Sequence, residues 1–242
     1  MKTDSFERNI LSSETIQMLV PSTSMSIESL EEPPRSLPEG AKVTRIAPSP
    51  TGSMHIGGLY AALISERIAH TTDGIFYTRI EDTDRKRELK GAKDHILDSL
   101  WAFGLKPDEG PQRDGSERGS YGPYEQSARG DIYRTFVRYM LENGLAYPCF
   151  MSTEETEALA TKQRALKVRT GYYGEWAAWR DRPETDVLDA IETRAEFVIR
   201  YRSTGSPDRR ITYTDVVRGE RHLPETDNDI VILKRDGLPT YH

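Results

Sequence analysis

Cys149 is the only cysteine in the chain, so no disulfide can close within it and a zinc site built from several thiolates is excluded. No apolar run approaches the roughly 18 residues that a bilayer-crossing helix needs. Basic residues are in the minority. The 33 Lys and Arg face 39 Asp and Glu, and the net charge of -6 argues against a protein that coats nucleic acid, although a local basic surface stays open. The N-terminal 40 residues lack the Arg-rich, acid-poor character of a mitochondrial transit peptide. There Asp4, Glu7, Glu14, Glu28, Glu31, Glu32 and Glu39 outnumber Lys2, Arg8 and Arg35. A secretory n-region and h-region are missing too, as is any internal repeat. These absences leave a reducing cytoplasm, with no membrane partner, as the expected setting.

What is present is ordinary for a globular protein: 36% hydrophobic and 30% charged residues, over a length that suits one large domain or two modest ones. Residues 1–40 are rich in Ser, Thr, Glu and Pro and read as a poorly ordered extension, with a short helix around 14–19. Residues 43–46 read as a short buried strand. Leu59, Ala62, Leu63 and Ala69 share one helical face and predict a helix to about His70. Asp73-Gly74 marks a turn before the β-type run 75–80. Strand, helix, strand in that order is a βαβ unit, which favours a parallel sheet and an α/β fold.

Further helices follow at 96–101, stopped by Gly104, and at 132–141, stopped by Asn143-Gly144. Past Tyr147-Pro148 the texture changes. Ser152-Thr-Glu-Glu155 is a capping box that opens a polar helix to about Lys167. A linker rich in Gly, Tyr and Trp comes next, then β-type runs at 197–201, 211–213 and 230–233. This predicts a second, smaller α+β domain, with the last strand returning to the first sheet.

Two motifs fall beyond the carboxyl ends of the first two strands, where open parallel sheets bind ligands. The first is the turn Arg45-Ile-Ala-Pro-Ser-Pro-Thr-Gly-Ser-Met-His55-Ile-Gly-Gly58. Its helix-start amides, glycines and histidine suit an approaching phosphate. The second, Arg79-Ile-Glu-Asp-Thr-Asp84, offers carboxylates that can hold an ammonium group or orient Arg79 and Arg85. Phosphate on one side and an amine on the other suggest a nucleotide meeting an amino acid. For Asp82 and Asp84 a structural role is the expectation. Cys149 reads as an inert thiol, and Trp176 and Trp179 read as packing residues.

Together with Asp108-Glu-Gly-Pro111, Tyr121-Gly-Pro-Tyr-Glu-Gln-Ser127, Ala146-Tyr-Pro-Cys149 and Lys234-Arg-Asp-Gly-Leu-Pro-Thr-Tyr-His242, these motifs run in one order from residue 43 onward. In that order the chain resembles the N-terminal part of a glutamyl-tRNA synthetase, a class I aminoacyl-tRNA synthetase. The resemblance implies a Rossmann-type parallel sheet, incomplete here, with an inserted α+β connective domain. It divides the chain into an extension (1–40), a first half of the catalytic domain (41–146), a connective domain that grips the tRNA acceptor end (147–227) and a return strand (228–242).

The same resemblance assigns Arg45, Ala47, Ser49, Glu81 and Tyr241 to the glutamate pocket, with Glu81 receiving the α-ammonium. His55 is implied as the catalytic contact to ATP, and Gly57 and Gly58 as the room for the adenylate. L-glutamate, ATP with Mg²⁺ and tRNA(Glu) are the implied partners of a monomer. Catalysis would rest on positioning and on phosphate stabilisation by His55, helix amides, Mg²⁺ and a lysine.

Cys149-Phe-Met151 departs from the Cys-x-Cys that binds zinc in many relatives, so no zinc or other resident metal is expected. The lysine-bearing loop, the second half-fold and the anticodon region would lie past His242, and the chain is expected to be inactive alone. Two alternatives stay open: the short paralogue that glutamylates a base of tRNA(Asp), and a non-catalytic module that binds glutamate or RNA. A glutaminyl enzyme would carry a Glu-Pro-Asn-Gly type turn where Ser49-Pro-Thr-Gly52 stands.

Overall fold

The computed structural model describes residues 10–193 and 196–241. In chain order they form α1 (Ser13–Leu19), β1 (Val43–Ile46), α2 (Ile56–His70), β2 (Ile75–Thr78) and α3 (Ala92–Ala102). The two-residue strands β3 (Gly110–Pro111) and β4 (Glu117–Arg118) follow, then α4 (Gly130–Glu142), β5 (Ala146–Cys149), α5 (Thr153–Ala165) and α6 (Glu184–Thr193). The chain ends in β6 (Val198–Tyr201), β7 (Arg210–Asp215), β8 (Gly219–Pro224) and β9 (Val231–Leu233). It divides into two compact units, Glu28–Ile132 and the residues up to Ile27 together with those from Tyr133 onward.

The Glu28–Ile132 unit contains the predicted βαβ. β1 and β2 pair in parallel, Val43 opposite Ile75 and Ile46 opposite Thr78, with α2 between them in sequence. β1 is half exposed rather than buried, because Val43 and Arg45 project away from the core. On the other face Leu59, Ala62, Ala69, Phe76, Ile80, Ile96, Leu100 and Leu105 pack α2 and α3 onto the sheet. Burying an aliphatic side chain of this kind stabilises by about 1.5–3 kcal/mol. Gly74 is required where β2 starts: a Cβ there would lie 1.9 Å from the carbonyl oxygen of Lys42, which accepts the Ile75 amide.

In the other unit β5, β6 and β9 form an antiparallel sheet, in that order. The predicted return of the last strand to the first sheet is therefore corrected: β9 pairs with β6, and Leu233 is buried beside Ile199 in that unit's own core. The expected boundary near residue 146 also moves, since α4 and β5 contribute Val137, Leu141 and Ala146 to the same core. The extension is a further correction. The short helix expected around 14–19 forms as α1, but Leu11, Ile16, Leu19 and Val20 are buried there, so residues 11–20 are ordered by apolar packing rather than left loose. Ser12 caps α1, and its hydroxyl and amide both donate to Glu184 of α6, at 2.6 and 2.9 Å. The start of the extension, residues 1–9, lies outside the described residues.

The predicted capping box is present. Ser152 Oγ accepts the Glu155 amide at 3.1 Å, and Glu155 Oε2 accepts the Ser152 amide at 2.8 Å. Asp229, fully buried, organises the centre of this unit: it accepts the Tyr147 hydroxyl at 2.5 Å, the Ser203 amide at 2.8 Å and the Arg180 guanidinium. Burial, with Asp229 beside it, pushes the Tyr147 phenol far above its ordinary range.

Candidate active site

The site residues of the Glu28–Ile132 unit stand on two loops that leave the carboxyl ends of β1 and β2. These loops are stitched together by their backbones. The Arg79 amide donates to the Ile46 carbonyl at 3.1 Å, the Glu81 amide to the Pro48 carbonyl at 2.9 Å and the Leu89 amide to the Pro50 carbonyl at 2.9 Å. Proline cannot donate but its carbonyl accepts, so the Pro-Ser-Pro turn supplies acceptors at fixed φ for the second loop to bind.

Glu81 is 8% exposed at this seam. Its Oε1 receives both Nε and Nη2 of Arg79 at 3.0 Å, and Nη1 of Arg45 stands 3.7 Å from the same oxygen. All three contacts fall on one carboxylate oxygen. Two guanidiniums and one carboxylate give the cluster a formal charge of +1, opposite to that of a dicarboxylic amino acid. Ala47 is half buried and Ser49 exposed on the same turn.

His55 is the N-cap of α2. Its Nδ1 accepts the Gly57 amide at 3.1 Å, which fixes the proton of the neutral ring on Nε2 and leaves that nitrogen as a donor. A Cβ at Gly57 would sit 3.0 Å from the imidazole Cε1, so the glycine makes room for the cap; Gly58 meets only ordinary contact with Met54. The predicted amide cradle is altered by this cap. Gly57 donates to the imidazole and Gly58 to the His55 carbonyl at 2.9 Å, so the exposed imidazole, rather than those amides, is what the turn presents.

Asp82 accepts the amide and hydroxyl of Ser127 at 2.7 and 2.5 Å, and Asp84 pairs with Arg87 at 2.6 Å. The structure thus joins Arg45 to Glu81, and His55 to Gly57 and Gly58, with Ala47 and Ser49 on the same turn as Arg45 and His55. Tyr241 belongs to the other unit and is 80% exposed. Sequence reasoning missed a cavity of about 400 Å³ beside Arg79, bordered also by Arg35, Tyr77, Tyr121, Tyr124 and Arg129. Among the described residues no three His, Cys, Asp or Glu converge as a metal site, and no helix is long and apolar enough to cross a membrane.

Residues 42–242 match the family of class I tRNA synthetases (E and Q), catalytic domain. The chain belongs to that family. The parallel β1–β2 pair with α2 is part of the family's Rossmann-type sheet, and the catalytic-domain match carries with it an aminoacyl-tRNA ligase fold. The glutamate–tRNA ligase of Clostridium perfringens is 53% identical over 210 residues, 87% of this chain and 38% of that protein. That of Acetivibrio thermocellus is 47% identical over 228 residues, 93% of this chain and 42% of that protein. Among solved structures, a glutamate tRNA ligase from Elizabethkingia meningosepticum in complex with its amino acid matches with a TM-score of 0.73 at 36% identity. This match covers 84% of the synthetase chain described here and 40% of the other. The chain spans about two fifths of the length of the curated relatives it matches.

Proposed function

We propose that this synthetase chain is the glutamate- and ATP-binding part of a glutamate–tRNA ligase. The observation that carries the reading is the buried Glu81 held between Arg45 and Arg79, with Arg45 at the start of the turn that ends in the His55 cap. In this reading Glu81 turns Oε2 to the α-ammonium of L-glutamate, and Arg45 holds a substrate carboxylate, with Ala47 and Ser49 beside them on the same turn. The charge balance supports a substrate with two carboxylates and one ammonium.

The α-carboxylate oxygen attacks the α-phosphorus of ATP, the bond to the β-phosphate bridging oxygen breaks, and pyrophosphate leaves. His55 donates from Nε2 to a phosphate oxygen as charge develops, while Gly57 and Gly58 leave the adenylate space. Mg²⁺ enters as the counter-ion of ATP, part of the substrate. A terminal ribose hydroxyl of tRNA(Glu) then attacks the acyl carbon and AMP departs. Neither step needs a protein nucleophile, so orientation and phosphate stabilisation are the protein's contributions.

The test is glutamate- and tRNA-dependent ATP–pyrophosphate exchange by the protein as its gene encodes it, with glutamine and aspartate as competitors and tRNA(Glu) and tRNA(Asp) as acceptors. Exchange and charging with glutamate on tRNA(Glu) are expected. Glutamate transfer to tRNA(Asp), or glutamate binding without exchange, would sink the proposal in favour of the short paralogue or a binding module respectively.

A further inference from the structure

The segment just ahead of β1 enters the Glu28–Ile132 unit through one arginine. Arg35 presents Nη1 and Nη2 to the two carboxylate oxygens of Glu109, the second pair at 2.7 Å. The guanidinium also lies 3.7 Å from the centroid of the Tyr121 ring, whose hydroxyl donates to the Pro33 carbonyl at 2.8 Å. Glu109 accepts a third bond, buried, from the Tyr124 hydroxyl at 2.7 Å. A two-pronged arginine–carboxylate pair fixes orientation as well as distance, which a single lysine contact does not.

These groups form the back of the loop that holds the candidate glutamate pocket. The backbone of Glu109 runs beside Tyr77, and its carbonyl accepts the Thr78 amide at 3.0 Å. Tyr124 gives its carbonyl to the Ile80 amide at 2.9 Å, and the Gln126 amide donates to the Ile80 carbonyl at 2.9 Å. Both the amide and the carbonyl of Ile80 are therefore held by the segment around Glu125, immediately before Glu81. Tyr124 and Ile80 are 1% and 0% exposed, so neither can shift without disturbing the core. The bond to Arg35 holds the Glu109 carboxyl below its usual range, and burial pushes the Tyr124 phenol up to about 12. Across neutral pH the acceptor stays ionised and the donor stays protonated.

We infer that Arg35 is a positioning residue for amino-acid capture, acting through Glu109 and Tyr124 on the Ile80–Glu81 segment. The inference rests on the ligase reading of the site. Without the guanidinium, Glu109 keeps a mostly buried charge with only a phenol to meet it. The loop must then open to water, and the grip on Ile80 slackens. The effect falls on where Glu81 stands, and so on glutamate rather than on ATP.

Steady-state exchange by the protein as its gene encodes it, with Arg35→Ala, Arg35→Lys and Tyr124→Phe, tests this. Arg35→Ala should raise the glutamate KM about tenfold with kcat and the ATP KM within about twofold, the size of effect typical of residues that orient a binding group from behind. Arg35→Lys keeps the charge without the fork and should recover part of the loss. Tyr124→Phe keeps the ring and the Arg35–Glu109 pair, and should raise the glutamate KM about threefold by removing one bond to Glu109. It also decides the matter if Arg35→Ala does not fold. An unchanged glutamate KM, or equal rises for glutamate and ATP, would overturn the inference. A wild-type protein with no glutamate-dependent exchange would overturn the ligase reading instead, so the two failures are distinguishable.

Discussion

The imidazole of His55 accepts the amide proton of Gly57, so the histidine that begins α2 is its cap and, in the proposed function, also the group that meets ATP. One ring nitrogen serves stability and the other is left for chemistry. Asparagine caps helices well but carries nothing in place of Nε2. His55→Asn should keep the melting temperature within a few degrees while lowering the exchange rate by about 10²-fold, the usual cost of losing one donor to a developing phosphate charge. His55→Ala should lose the rate and about 1 kcal/mol of stability as well. Calorimetric melts beside exchange assays separate the two effects; an Asn variant with full activity would refute the role of Nε2.

Glu81 is expected to govern glutamate rather than ATP. Glu81→Gln keeps the shape and frees Arg79 and Arg45 from their shared carboxylate. The glutamate KM should rise about 10- to 100-fold with a smaller change in kcat, because an ammonium contact made in ground and transition states alike is lost. Titration calorimetry with glutamate checks this directly, and unaltered affinity would remove Glu81 from the pocket.

His70 links folding to pH. Its Nε2 lies 2.8 Å from Asp108 and its Nδ1 2.8 Å from Glu66, and the bond to Asp108, ahead of that to Glu66, raises its pKa above 6.5. A raised folded-state pKa contributes stability that is fully present below the unfolded value and lost as pH rises through the folded one. In urea melts, the wild type should therefore lose stability relative to His70→Gln as pH rises from about 6.5 through the raised folded-state value, by a modest amount because the ring is partly exposed. Parallel pH profiles for the two proteins would count against the contact.

Asp229 is the most consequential buried charge in the other unit. Asp229→Ala removes the carboxylate shared by the Arg180 guanidinium, the Tyr147 hydroxyl and the Ser203 amide, while Arg180 keeps its bond to the Ser203 carbonyl. Removing one partner of a buried ionic network costs about 3–5 kcal/mol. Chemical unfolding should show that loss; a change below about 1 kcal/mol would mean that water replaces the carboxylate.

Where local pattern and tertiary structure agree, the sequence was readable. The βαβ unit, α3, α4 and the Ser152 box follow from apolar periodicity, Gly104, Asn143-Gly144 and a cap signature, and each forms where expected within a few residues. β8 was missed because Glu220, Arg221 and His222 interrupt any β-type run, whereas its almost equally exposed partner β7 was found through Ile211-Thr-Tyr213. The short α1 helix was legible, but the burial of Ile16, Leu19 and Val20 was not, because the partners they pack on begin only at Val137. Within the candidate site the turn and Glu81 were legible because they are contiguous motifs. The Arg35–Glu109–Tyr124 network was not, because its members are separated by as many as 74 positions in one pair and nothing local marks them as neighbours.

The docking of α1 has a consequence for how the chain is made. The carboxylate that ties Ser12 down, Glu184, is 172 residues further along. At about 5–20 residues per second, a ribosome reaches it roughly 10–35 s after Ser12 has been joined. Through that interval Leu11, Ile16, Leu19 and Val20 have no finished core to enter, while the βαβ unit between them and their partners can already close on itself. Leu11, Ile16, Leu19 and Val20 thus wait for partners made long after them, and stay open to misassociation over that interval.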